Sequence, residues 1–254
     1  MIRQADPGTK TNWAAVVALG LAVVIVAVDV TAVATGLPAM SATFDADPAR
    51  AQWIFLAYSL PMIALILPAG RWVDDVNLRH AFLLGAIGFA VASALVGVAP
   101  TFEILLAGRA LQGAFGALIG ALFLAVAAEV VNPAQRGQAM GLITTVGPLG
   151  SIAGPALGGV IISTLGWPWI FYLNLPICAV AAYVGWRSIP SQGRLHGLRP
   201  GLLAEAVLAG GAALGLLLAL NHAADRGQMG MESALLLIVG AAPRLLKRSG
   251  LPLI

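Results

Sequence analysis

Long, nearly uncharged apolar runs follow one another along this chain, and that succession restricts the fold more than any other feature. They are Trp13–Gly36, Trp53–Val73, His80–Val98, Phe102–Val130, Gly137–Leu165, Trp169–Arg187 and Gly201–Leu220. A helix that crosses the ~30 Å hydrocarbon core of a bilayer needs roughly 20 such residues. A further run, Met231–Pro243, would make only ~20 Å of helix and is short for a full crossing. These runs exceed the length of ordinary strands. None alternates apolar with polar residues, as the strands of a membrane barrel do. The expected fold is all-α, a polytopic transmembrane helix bundle.

Composition agrees. Hydrophobic residues make up 59% of the chain and charged residues 10%, where soluble domains carry roughly a quarter charged. So few polar residues could not cover a water-soluble surface of this size. The formal net charge of +3 is too small and too scattered to point to nucleic acid. The single cysteine, Cys178, lies in an apolar run and excludes a disulfide framework. His80, His196 and His222 fall in loops or at helix ends without metal-ligand spacing, so neither a metal site nor a cofactor is expected. Arg3, Lys10 and Ala32-Val33-Ala34 give the first run the look of a signal peptide. That run is longer than a signal core of about 7–15 residues, and more spans follow it, so it is read as an uncleaved helix.

Lysines and arginines collect on the cytoplasmic side of membrane proteins. With the N-terminus inside, Arg3, Lys10, Arg71, Arg79, Arg136, Arg187, Arg194, Arg199, Arg244, Lys247 and Arg248 are cytoplasmic, and only Arg50 and Arg226 lie outside. The expected location is the plasma or inner membrane, with a cytoplasmic N-terminus. Trp13, Trp53, Trp167 and Trp169 at predicted helix ends act as interfacial anchors. Residues 1–12 form a cytoplasmic N-terminus, 13–187 a six-helix domain, 188–200 a cytoplasmic linker rich in glycine and basic residues, and 201–254 the start of another unit.

Charges within a bilayer are costly and mark candidate sites. Asp29 lies seven residues before Gly36, and Arg109 seven residues after Phe102. At 1.5 Å per residue both are ~10 Å below the outer surface. They could form a structural salt bridge, or Asp29 could bind and release a proton beside Arg109. Glu205 lies near the inner end of its run, where snorkelling explains it. In the fifth run Gly147, Gly150, Gly154 and Gly158 make one stripe, with Ser151 and Gly159 beside it and Pro148 and Pro155 interrupting the same stretch. Small residues let another helix approach closely, and prolines shape the helix. No nucleophile, base or acid cluster shares a depth with Asp29, so an intramembrane enzyme is not expected.

Several of these segments together resemble a known family. Asp29-Val30-Thr31…Leu37-Pro38 is similar to the Asp-x-Thr…Leu-Pro signature of the fourteen-helix drug:proton antiporter branch of the major facilitator superfamily, with Ala34 in place of its usual asparagine. Trp53…Tyr58 resembles the start of that branch's second helix. Gly70, Asp74 and Arg79 match the superfamily's loop motif Gly-x-Leu-Ala-Asp-Arg-x-Gly-Arg-Lys, while Asp75, Asn77 and Leu78 depart from it. Leu106-Ala107-Gly108-Arg109-Ala110-Leu111-Gln112-Gly113 resembles the fourth-helix motif. Gly147-Pro148 through Gly154-Pro155-Ala156-Leu157-Gly158-Gly159 resembles the exporters' fifth-helix motif. Trp167-Pro168-Trp169 through Asn174-Leu175-Pro176 resembles the start of the sixth helix.

The resemblance covers residues 13–187 and implies the N-terminal half of a transporter working by alternating access. It implies export of a small hydrophobic or cationic substrate in exchange for a proton. Asp29 would then be the proton site and Arg109 its relay partner. Thr31, Tyr58 and Gln112, with Gly147, Pro148, Gly150, Gly154, Pro155, Gly158 and Gly159, would serve the substrate cavity or helix packing. Gly70, Asp74 and Arg79 would form the cytoplasmic gate. The alternative is a truncated or frameshifted chain that inserts without transporting. After Leu237-Ile238-Val239 the sequence breaks at Gly240-Ala241-Ala242-Pro243, and Ser249–Ile254 does not resemble the family. On that reading the chain is not expected to transport by itself unless a homodimer supplies the opposing bundle.

Overall fold

Polar residues in the turns set where the apolar runs become helices. The computed structural model describes residues 10–74 and 76–191. The seventh and eighth runs, Glu205 and the linker beyond Ser191 lie outside the described residues. Helix α1, Trp13–Thr43, starts on Asn12, whose side chain accepts from the Ala15 N–H. Helix α2, Pro48–Val73, starts on Asp47 with proline in the first turn, and α3, Leu78–Gly97, starts on Asn77. Helix α4, Phe102–Val130, starts on Thr101. In each case a side-chain oxygen satisfies a backbone N–H that the first turn leaves open. A single 3₁₀ turn, Pro133–Gln135, precedes α5, Arg136–Leu165. The sixth span consists of α6, Pro168–Tyr172, and α7, Asn174–Ser188. Leu173 joins them at φ −61° and ψ −28°, so the chain keeps its helical direction across the break.

Among the described residues there is no strand, and six helical spans are long and apolar enough to cross a membrane. Large side chains on the outside of the bundle are apolar, such as Leu67, Val91, Ile152 and Val160. This is a multi-pass membrane protein. Lipid tails are as apolar as leucine, so the spans are held by close packing and by hydrogen bonds between helices, with little hydrophobic drive.

Two helix boundaries differ from expectation by more than two residues. The first run was expected to end at Gly36, but α1 continues to Thr43, through Pro38. The extension is held by packing: Met40 is fully buried, and Trp167 Nε1 donates to Thr43 Oγ1 at 3.0 Å. A proline removes one intrahelical bond, and these tertiary contacts outweigh it. The second span begins at Pro48 and not at Trp53, because Asp47 caps it and proline fits a first helical turn.

Helix α1 lies along α5 and α7, α4 lies along α2 and α3, and α3 also meets α7. The interior where α1, α2, α3, α4 and α7 converge is therefore covered on all sides. Among the described residues, α2 and α5 each lean mainly on one neighbour, and their other faces meet no described helix. Close backbone approach shapes the convergence. A Cβ on Gly113 would overlap the carbonyl of Tyr58, so α2 and α4 touch there only because that position is glycine.

Candidate functional site: a buried ion pair in a ring of amides

Asp29 and Arg109 meet in this convergence. Arg109 Nη1 donates to Asp29 Oδ2 at 2.6 Å, and neither side chain has any exposure. Their relative depths differ from the sequence expectation. Because α1 runs on to Thr43, Asp29 lies near the middle of its helix and not seven residues from its end.

The guanidinium is held on several sides. Its Nη1 also donates to Gln112 Oε1 at 2.8 Å, and Nε donates to the Ile54 carbonyl at 3.3 Å. Its Cζ lies 4.4 Å from the ring centroid of Tyr58 and 5.8 Å from that of Phe171. A planar cation between two aromatic faces gains most where water is excluded. Further hydrogen bonds to the two groups help offset the cost of burying them. Among the described residues, Arg109 Nη2 and the Tyr58 hydroxyl have no hydrogen-bond partner.

The carboxylate is satisfied by amides. Gln112 Nε2 donates to Asp29 Oδ1 at 3.3 Å and to Ser93 Oγ at 2.7 Å. Asn174 Nδ2 donates to the same two oxygens at 3.1 Å each. Ser93 in turn donates to the Phe89 carbonyl at 2.8 Å. Ser93 and Asn174 were not singled out from sequence. Neither carries a charge, and a lone serine or asparagine in a span is ordinary, so nothing in the sequence of one helix marks them.

Other candidates lie elsewhere. Gly150, Gly154 and Gly158 are buried against α1, where a Cβ would press on Val24 and Val28, on Thr31 and on Ala32 respectively. Gly147 approaches Val23 less closely. Thr31 faces this seam, its hydroxyl donating back to the Ala27 and Val28 carbonyls. Pro148, Pro155 and Gly159 each follow a stripe glycine by one residue, which turns them about 100° round the helix. Pro148 and Pro155 are exposed, and a Cβ on Gly159 would meet nothing within 4 Å. Among the described residues these three lie off the α1–α5 seam.

The loop residues also divide. Gly70 lies in the last turns of α2, and Asp74 caps that helix, its N–H donating to the Gly70 carbonyl at 3.2 Å. Arg79 reaches away from both, its Nε donating to the Ile189 carbonyl at 2.7 Å beyond the end of α7. Asn77, one of the motif's departures, caps α3 and also reaches Ser191 Oγ at 3.1 Å. Arg79 and Asn77 thus fasten the end of the sixth span to the turn between α2 and α3.

Comparison with known proteins gives a consistent picture. The family model described as Major Facilitator Superfamily matches residues 19–242. The tetracenomycin C resistance and export protein of Streptomyces glaucescens is 33% identical over 173 residues, which is 68% of this chain and 32% of that protein. The multidrug efflux pump LfrA of Mycolicibacterium smegmatis is 33% identical over 181 residues, 71% of this chain and 36% of that protein. The putative multidrug resistance protein MdtD of Yersinia enterocolitica is 36% identical over 155 residues, 61% of this chain and 33% of that protein. The chain thus spans about a third of the length of these relatives. Among solved structures, a D-xylose-proton symporter superposes with a TM-score of 0.59 at 13% identity, covering 92% of this chain and 66% of that one. That likeness concerns the fold alone.

Proposed function

This chain belongs to the major facilitator superfamily, and from that premise we propose that it serves proton-coupled export of small hydrophobic or cationic molecules, with Asp29 as the proton-binding group. The observation that carries the reading is the pairing of Asp29 with Arg109, fully buried and held by the neutral amides of Gln112 and Asn174. A charge pair that only braced two helices could be replaced by apolar residues at little cost or with a gain in stability. Ionisable groups inside a span are otherwise kept for ion or proton traffic. The relatives named for drug resistance and export supply the substrate class.

In this proposal residues 13–187 are the N-terminal transporter domain, 188–200 a cytoplasmic linker, and 201–254 the beginning of a second unit. The N-terminus is cytoplasmic, in the plasma or inner membrane. Arg109 answers the charge of Asp29 and is released from it when the carboxylate takes up a proton. Tyr58 and Gln112 line the inner face around the pair. Gly147, Gly150, Gly154 and Gly158, with Thr31, seal the seam between α1 and α5. Gly70, Asp74 and Arg79 brace the cytoplasmic end. Alternating access requires a second bundle to rock against. We place it on the uncovered faces of α2 and α5, supplied by a longer chain or by a second copy in a homodimer.

Proteoliposomes with an imposed proton gradient test the reading through accumulation of a fluorescent lipophilic cation. The assay is run on the chain alone and on a chimera in which residues 13–187 replace the matching third of the Mycolicibacterium pump. Gradient-driven accumulation that Asp29→Asn abolishes is the expected result. Accumulation that survives Asp29→Asn would remove Asp29 from the coupling.

A further inference from the structure

Around Asp29, Gln112 and Asn174 use their amide hydrogens in the same way. Each divides its two N–H groups between Asp29 Oδ1 and Ser93 Oγ. Ser93 gives its own hydrogen to the Phe89 carbonyl, so its oxygen can only accept from the amides. A carboxylate also only accepts. Both amides must therefore present nitrogen to this pair of oxygens while Asp29 is ionised.

Protonation changes the demand. A protonated carboxyl carries a hydrogen that needs an acceptor, yet every described group bonded to Asp29 is a donor: Arg109 Nη1, Gln112 Nε2 and Asn174 Nδ2. Arg109 has no acceptor to offer. Gln112 cannot turn over, because its Oε1 already accepts from Arg109 Nη1 at 2.8 Å and a reversed amide would set donor against donor. Asn174 is not locked in this way. Its side-chain hydrogen bonds run through Nδ2, and no described group donates to its Oδ1. A half-turn of its terminal torsion would present Oδ1 to the acid, and rotation of the Ser93 hydroxyl would then satisfy the new arrangement.

Resting on the proton-binding reading of Asp29, we propose that Asn174 is a positioning residue whose amide reverses with the protonation state of Asp29, donating to the carboxylate and accepting from the acid. Asn174 is the first residue of α7, directly after the junction at Leu173. The reversal withdraws the donors that tie α7 to α1 and α3, so the sixth span senses the proton. Other ionisable groups facing the carboxylate are few among the described residues: Arg109 from α4, Tyr58 from α2 and Cys178 from α7. From α3 the contact is the neutral Ser93, and α5 meets the far side of α1 through glycines.

Infrared difference spectra of the purified chain, recorded between neutral and acid pH, test this. Asp29→Asn identifies the carboxyl band of Asp29, and the band of isotope-labelled asparagine that Asn174→Leu removes identifies the amide of Asn174. The proposal expects the two bands to change together in the wild type and both to vanish in Asp29→Asn. In Asn174→Leu, which keeps the bulk of the side chain, and in Asn174→Ala, the amide band is lost. The Asp29 carboxyl band then shifts to the higher frequency of an acid without a hydrogen-bond acceptor. A carboxyl band at the wild-type frequency in both Asn174 variants would overturn the role of Asn174 alone. Absence of any Asp29 carboxyl band in the wild type would instead overturn proton binding at Asp29, and this inference with it.

Discussion

Arg109 Nη1 stands 2.6 Å from Asp29 Oδ2 with both side chains wholly inside the bundle, so each charge depends on the other for its place there. Removing only the cation leaves a buried carboxylate with amide donors and no counter-charge. Breaking one side of such a pair typically costs about 3–5 kcal/mol, whereas removing both partners costs much less. We expect Arg109→Ala to lower the stability of the purified chain in denaturing-detergent titrations by an amount in that range. Asp29→Asn combined with Arg109→Ala should restore part of the loss. Strictly additive effects of the two substitutions would show that the pair is not coupled. Arg109→Lys should also be harmful, because an ammonium cannot keep the Nε bond to the Ile54 carbonyl together with the stack on Tyr58.

The seam between α1 and α5 gives a paired contrast. Gly154 is buried where any side chain would strike Thr31, while Gly159 faces open space. Gly154→Leu should force α5 off α1, at a cost of about 1–3 kcal/mol typical of overpacking, and abolish transport or introduce a proton leak with the chain still inserted. Gly159→Leu should leave the stability of the purified chain unchanged. Equal effects of the two substitutions in the same assays would mean that the glycine stripe is not the working face.

Much of this fold is written in the sequence, because the bilayer makes the signal simple. A helix must be apolar over its whole crossing, so the runs could be counted. The start of α4 at Phe102 and the end of α5 at Leu165 coincide with expectation. What misled was local chemistry overruled by packing, as at Pro38, which looks like a stop and is carried inside α1. At the site, Asp29 and Arg109 were legible because charge in a membrane is costly, and Ser93 and Asn174 were not, because serine and asparagine in spans are ordinary one at a time. Asn174 acquires meaning only when α7 is folded against α1 and α3, and no spacing within one helix reports that. Arg79 is a similar case: its match to a loop motif says nothing of its bond to the Ile189 carbonyl.

Orientation can be tested apart from mechanism. Ala46 lies in the turn between α1 and α2, and Ser191 lies beyond α7 at the opposite end of a six-span bundle. Single cysteines at these positions, in a Cys178→Ala background, should react with a membrane-impermeant thiol reagent from outside and from inside respectively. Labelling of both from one side, or of each from the opposite side, would refute a cytoplasmic N-terminus.

Proton uptake by Asp29 underlies the proposed exchange for substrate. Its most direct test is proton release from the purified chain in weakly buffered detergent solution, followed with a pH indicator as a lipophilic cation such as tetraphenylphosphonium is added. Wild-type chain should release protons in proportion to the cation bound, and Asp29→Asn should bind cation with no release. Equal release from wild type and Asp29→Asn, or none from either, would contradict the account.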